Sequence, residues 1–270
     1  VSAALLQIED LRVRVGQSRR QFEAVRGITL RVETGEIAGL IGESGSGKSL
    51  TAAAVLGLLP QGAGLTGRIL FEGADLHASL RSGTVRLGRD IGFVPQEPMS
   101  ALNPTLRVGH QLTMPLRYHE RLSRRDAMAR ACAMLERMQV ADARRVLAAY
   151  PFELSGGLRQ RALLANAFLM KPKLIIADEP TTALDVTVQS EVLTLLKNNA
   201  RELNTAVLFI THNMGVVWHL CDTVNVMQAG VIVEHGRSRD VLSNPQNAYT
   251  QTLRASLPEQ AGYRQRIGAA

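Results

Sequence analysis

The chain has 270 residues, enough for one domain with a small insert and a tail. An apolar content of 46% supplies a buried core and excludes a disordered chain; with aromatics at only 4%, that core must rest on Leu, Val, Ile, Ala and Met. The net charge of +7, from 31 basic and 24 acidic residues, suits nucleic acid, an anionic membrane surface or a phosphate-bearing ligand.

Arg12, Arg14, Arg19, Arg20, Arg124, Arg125, Arg144 and Arg145 are scattered along the chain, so a solvated face is expected rather than a nucleic-acid stripe, and no nucleic-acid partner is expected. Cys132 and Cys221 lie in unrelated contexts, which points away from a disulfide framework and towards a reducing compartment. No run reaches the ~18 consecutive apolar residues of a membrane span. Glu9 and Asp10 come too early for a basic-then-apolar leader, so no signal peptide is expected, although a start at Val1 leaves room for a trimmed one.

Strand-like alternation comes first, at Leu11, Val13 and Val15 and then at Ile28, Leu30 and Val32. An apolar run from Glu36 to Ile41 leads into Gly42-Glu43-Ser44-Gly45-Ser46-Gly47, and the pattern from Lys48 to about Leu59 predicts a helix that Pro60 ends. Ile91–Val94 is a further strand. Helical spacing then takes over: Ser123 and Asp126 form a capping box ahead of Met128, Ala131, Leu135 and Met138, and a second helix is expected from about Leu158 to Leu169. From Leu174 the texture returns to strands (174–177, 206–210, 224–227, 231–234) alternating with helices (186–203, 214–220). Strand–helix alternation on either side of an all-helical stretch predicts an α/β core with a helical insert.

Gly42 to Ser49 fits G-x-x-x-x-G-K-S between a strand and a helix, the pattern of a phosphate-binding loop. Glycines at 42, 45 and 47 let the backbone, Ser44 included, curl its N–H groups inward, and the helix adds its positive end. In such a loop Lys48 reaches the β- and γ-phosphates and the Ser49 hydroxyl ligates Mg²⁺. The bland alternative is a glycine-rich turn that merely caps a helix. Asp178 and Glu179, after the apolar strand 174–177, are expected to hold Mg²⁺ and to polarise the attacking water, respectively; alone, they could simply be acids at a helix start.

Leu154-Ser155-Gly156-Gly157-Leu158-Arg159-Gln160-Arg161 resembles the LSGGQ signature of the ABC transporter ATPases, with Leu158 in the place of the usual Gln. Gln96, Ala183-Leu184-Asp185 and His212 follow in the order of that family's Q-loop, D-loop and switch histidine. The resemblance implies a P-loop NTPase (RecA-like) α/β core with an antiparallel β subdomain and an inserted α-helical subdomain. The core would occupy about 1–95 and 166–235, the insert about 96–165, and a short tail 257–270 would follow a cassette of 1–256. It also implies ATP and Mg²⁺ as cofactors, with Glu179, His212 and Gln96 acting in hydrolysis and Gln96 touching the metal beside Ser49 and Asp178. Ser155, Gly156, Gly157 and Asp185 would meet the ATP of a second subunit in a head-to-tail dimer. Adenine usually stacks on an aromatic residue near the N-terminus; here the position falls at Val15, or at Phe22 from the adjoining loop, which could equally be core.

Residues 94–104 (VPQEPMSALNP), 177–189 (ADEPTTALDVTVQ), 211–217 (THNMGVV) and the tail from Asn244-Pro245 to Tyr249-Thr250 resemble the oligopeptide, dipeptide and nickel importer ATPases. That resemblance implies a peripheral subunit on the cytoplasmic face of the membrane. Its partners would be a paralogous or identical ATPase, two integral membrane permeases and, indirectly, a substrate-binding protein. The alternative is a soluble ABC ATPase acting outside transport. With no cysteine after Cys221, no iron–sulfur cluster is expected, and His219 and Cys221 do not share a helix face, so they make no metal pair.

Overall fold

The computed structural model describes residues 4–16, 21–97, 101–181 and 184–255. The chain divides into two compact units, Val1–Ser82 with Ala206–Ala270, and Gly83–Thr205. Arg19 and Arg20, residues 98–100 of the importer-like stretch, Ala183 and the tail 257–270 lie outside the described residues.

The first unit carries an antiparallel sheet in the order β2-β1-β4-β5, from β1 (Leu6–Val15), β2 (Phe22–Val32), β4 (Gly64–Phe71) and β5 (Ala74–Asp75). Leu6 and Ile8 are buried on β1, but the buried set then moves to Leu11 and Val13, a change of phase that strict alternation forbids. A bulge explains it: Asp10 takes φ 44°, and the register slips between residues 8 and 11 towards β2 and between 9 and 12 towards β4. This is why the sequence shows the alternation only from Leu11 onward.

In the same unit β3 (Ile37–Ile41) lies parallel between β8 (Ala206–Thr211) and β9 (Thr223–Gln228), and β10 (Val231–Arg237) pairs antiparallel with β9. Every residue of β3 and β8 is buried, which is why both read as continuous apolar runs. Helix α1 (Lys48–Leu56) is shorter than the expected reach to Leu59. Gly57 takes φ 68° and returns its N–H to Ala53 and Ala54, closing the helix before Pro60 can act. The remaining helices of this unit are α2 (Leu76–Ser82), α8 (Met214–Leu220), α9 (Ser238–Ser243) and α10 (Ala248–Ala255).

The second unit pairs β6 (Ile91–Val94) with β7 (Leu174–Asp178) in parallel, and its helices are α3 (Val108–His119), α4 (Arg124–Arg137), α5 (Ala143–Ala148), α6 (Gly156–Phe168) and α7 (Val186–Glu202). Ser123 caps α4 by accepting the Asp126 N–H at 3.1 Å. The return half differs from the expected box, because the Asp126 carboxylate takes the Ser123 hydroxyl at 2.7 Å instead of its N–H. Val108, Leu112 and Leu116 of α3, Ala131 and Leu135 of α4 and Val146 of α5 are buried at helical spacing. A Cβ on Gly109 would fall 2.7 Å from the Leu147 carbonyl, so α3 and α5 pack at a separation that only glycine permits there. Helix α6 begins at Gly156, two residues before the expected start, because Ser155 is its cap.

Candidate active site

The phosphate-type loop leaves β3 at Gly42, and His212 leaves the neighbouring β8. Ile41 and Thr211 are register partners, so both segments emerge at the carboxyl edge of one parallel sheet, the edge where α/β folds place ligands. The loop is braced from outside. A Cβ on Gly42 would sit 2.1 Å from the Met227 carbonyl, and one on Gly47 would sit 2.7 Å from Met227 Cε and 2.8 Å from the Ala24 carbonyl. Gly230, in the turn after β9, donates its N–H to the Ser46 carbonyl at 2.9 Å. Gly45 instead faces open space at φ 82°, so the concave side of the loop is clear while its back is packed.

Three features suit that concavity to a phosphate chain. Helix α1 opens at Gly47 with no side-chain cap and no acid in its first turn, leaving its positive end uncompensated locally. The Ser46 hydroxyl is buried with no hydrogen-bond partner among the described residues. Lys48 is only 5% exposed, and its ammonium donates to the carbonyls of Gly42 and Glu43, each at 2.8 Å. Ser44 and Ser49 are exposed on the same loop.

His212 is exposed and its backbone is fixed on both sides. Asn213 donates its N–H to Thr211 Oγ1 at 3.0 Å, and the Asn213 side chain caps α8 by accepting from Gly215 and Val216 at 2.9 and 3.3 Å. Asn213 had no place in the sequence-based site; an Asn just ahead of a short helix was the available signal.

In the second unit, Val94 and Ala177 are register partners, so Gln96 and the pair Asp178–Glu179 leave a common sheet edge. Asp178 is buried at the end of β7, and the Gln96 amide reaches the Glu179 carboxylate at 3.4 Å. Glu179 takes φ 44°, a left-handed conformation that costs a non-glycine residue roughly 1–2 kcal/mol. Ser155 Oγ accepts the Leu158 N–H at 3.4 Å at the head of α6, and Asp185 Oδ1 accepts the Val188 N–H at 2.9 Å at the head of α7. The two helix starts adjoin: a Cβ on Gly157 would lie 2.9 Å from Val188 Cγ1, whereas one on Gly156 would meet Leu184 at an ordinary 3.6 Å. Gly157 therefore has a packing reason of its own, while Gly156 and Ser155 are exposed.

The two adenine candidates, Val15 and Phe22, are cross-strand partners at one end of the β1–β2 pair. Phe22 is 64% exposed, which removes the core alternative for it. Of the arginines that look scattered in the sequence, Arg124, Arg125 and Arg144 come together with Arg107 and Arg117 to line a recess of about 900 Å³ in the second unit, which Glu136 also lines. Tyr249, in the first turn of α10, was noted in the sequence only as part of a tail motif. Its hydroxyl accepts the Glu43 N–H at 3.0 Å.

The family described as ABC transporter matches residues 25–182. The "Probable D,D-dipeptide transport ATP-binding protein" of Escherichia coli (strain K12) is 47% identical over 98% of this chain and 82% of its own length. The oligopeptide transport ATP-binding protein of Salmonella typhimurium is 43% identical, over 94% and 76%. Among solved structures, a dimeric bacterial ABC transporter cassette superposes with TM-score 0.76 at 24% identity, covering 86% of this chain and 98% of that one. A Clostridium perfringens cassette that is part of an ABC transporter complex gives 0.75 at 27%, covering 90% and 92%.

Proposed function

The chain belongs to the ABC transporter family and is a nucleotide-binding ATPase, and from that premise we propose that it powers an importer for peptides or a related small solute. The observation that carries the ATP-binding part is the back-braced loop with an open concave side, an uncapped helix end and the buried Lys48. The cargo class rests on relatives named for dipeptide and oligopeptide transport at 47% and 43% identity.

In this reading backbone N–H groups of the loop, other than that of Glu43, and the Lys48 ammonium bind the β- and γ-phosphates of ATP. Ser49, Asp178 and Gln96 offer hydroxyl, carboxylate and amide oxygens, the hard donors that Mg²⁺ prefers. When bound, that ion would neutralise charge on the transferring phosphoryl group. Glu179 polarises the attacking water, with Gln96 holding its carboxylate, and His212 addresses the γ-phosphate. Ser155, Gly156 and Gly157 at the head of α6, with Asp185 at the head of α7, contact ATP held by a second cassette in a head-to-tail pair.

No helix of the described residues is long and apolar enough to cross a membrane. On the importer reading the chain works with two integral membrane permease subunits at the cytoplasmic face. The basic recess and the exposed Met114 and Tyr118 of α3 support a docking face for such a subunit. Gentle purification from native membranes, followed by mass spectrometry, should recover two polytopic membrane proteins and a second ATPase. Recovery with ribosomes or DNA instead would remove the transport reading.

For the chemistry, Glu179→Gln should retain ATP binding while lowering turnover by ~100-fold or more. Turnover at the wild-type rate in that variant would take Glu179 out of the mechanism.

A further inference from the structure

The contact between Tyr249 and Glu43 joins the C-terminal segment to the phosphate loop within one unit. Glu43 is held at both ends of its backbone: its N–H by the Tyr249 hydroxyl at 3.0 Å, and its carbonyl by the Lys48 ammonium at 2.8 Å. The Glu43 carbonyl also accepts the Ser46 N–H at 3.2 Å. The ammonium is the group expected to turn towards phosphate, so the Tyr249 bond is the one that holds the Glu43 N–H when nucleotide arrives. It secures the entry to the loop.

The segment that carries Tyr249 is anchored in turn. Glu234 of β10 accepts the N–H groups of Gln246 and Asn247 at 2.7 and 3.2 Å through its two carboxylate oxygens. Asn247 Oδ1 accepts the Tyr249 N–H at 2.9 Å, which sets the direction of the first turn of α10. Gln251 returns its amide to the Pro245 carbonyl at 3.0 Å, and Arg254 donates to the Ser243 carbonyl at 2.5 Å. A continuous run of hydrogen bonds thus leads from β10 through residues 246–249 to the first peptide of the loop. Burial raises the Tyr249 phenol above its ordinary value, so it remains a neutral hydroxyl near neutral pH.

We propose that Tyr249 is a positioning residue for nucleotide binding, acting through the Glu43 peptide to hold the loop in its ATP-accepting shape, with Glu234 aiming the tyrosine. This rests on the phosphate-cradle reading of residues 42–49.

The experiment uses the full chain and compares wild type, Tyr249→Phe, Glu234→Ala and Lys48→Ala by ATP titration calorimetry, steady-state ATPase kinetics and thermal unfolding. Tyr249→Phe keeps the ring and removes only the acceptor. It should raise the KM and Kd for ATP about fivefold, equivalent to ~1 kcal/mol, with kcat and melting temperature close to wild type. Glu234→Ala, which touches no loop atom, should shift KM in the same direction. A lowered melting temperature with unchanged KM in both variants would mean that the contact only packs the tail, and would overturn the proposal. If Lys48→Ala loses ATP while Tyr249→Phe binds it as wild type does, the inference fails and the cradle stands. Wild-type binding by Lys48→Ala would overturn both.

Discussion

Lys48 is a charge held in a nearly closed place. At 5% exposure its ammonium has lost most of its water, and the Gly42 and Glu43 carbonyls replace that hydration with dipoles. A phosphate oxygen offers a full negative charge, and hydrogen bonds to charged groups are worth ~1.5–3 kcal/mol against ~1 for neutral pairs. Lys48→Ala should therefore weaken ATP binding by about 10- to 100-fold in calorimetry. The melting temperature of the nucleotide-free chain should hold, because the variant also relieves the cost of burying a charge. At this scale most of the candidate site was legible in the sequence, since Lys48, Ser49, Glu179 and His212 follow strands and Asp178 closes one. What braces the loop was not legible: Met227, Ala24, Gly230 and Tyr249 hold residues 42–47 from far along the chain, and no local pattern announces such contacts.

Among the elements, α6 and α7 show that the signature-like stretch has a packing role of its own. Gly157 lies where any Cβ would press on Val188 Cγ1 at 2.9 Å, and a β-branched valine cannot swing aside cheaply. Gly157→Ala should force the two helix starts apart and cost about 1–3 kcal/mol, seen as a lowered melting temperature. Gly156→Ala, with 3.6 Å to Leu184, should melt near wild type. Equal melting of the two variants would contradict the packing role assigned to Gly157. Elements with a clean period were readable in advance, α4 and α7 from their apolar spacing and β3, β7 and β8 from unbroken apolar runs. Three elements that were not read in advance each carry an interruption or are short. On β4 Gly64 and Gly67 break the alternation, α3 carries Pro115 inside it, and α5 has only six residues. Gly57 ended α1 ahead of the more conspicuous Pro60.

For the molecule as a whole, a formal charge of +7 says little until the chain is folded. Arginines separated by up to 37 positions, from Arg107 to Arg144, line one recess, and so a sequence that looks evenly basic carries a localised field. The α/β class and the helical stretch were readable from the order of textures, because each texture follows from whether its strands are buried on one face or two. The β1 bulge hid the first strand's true length, since a single residue at positive φ reverses which side chains face inward. A similar backbone conformation at Glu179 has a different import. Glycine or asparagine would occupy φ 44° at less cost than glutamate, so Glu179→Gly should ease the backbone while removing the carboxylate. With Glu179 in its proposed role of polarising the attacking water, endurance and turnover compete at that peptide.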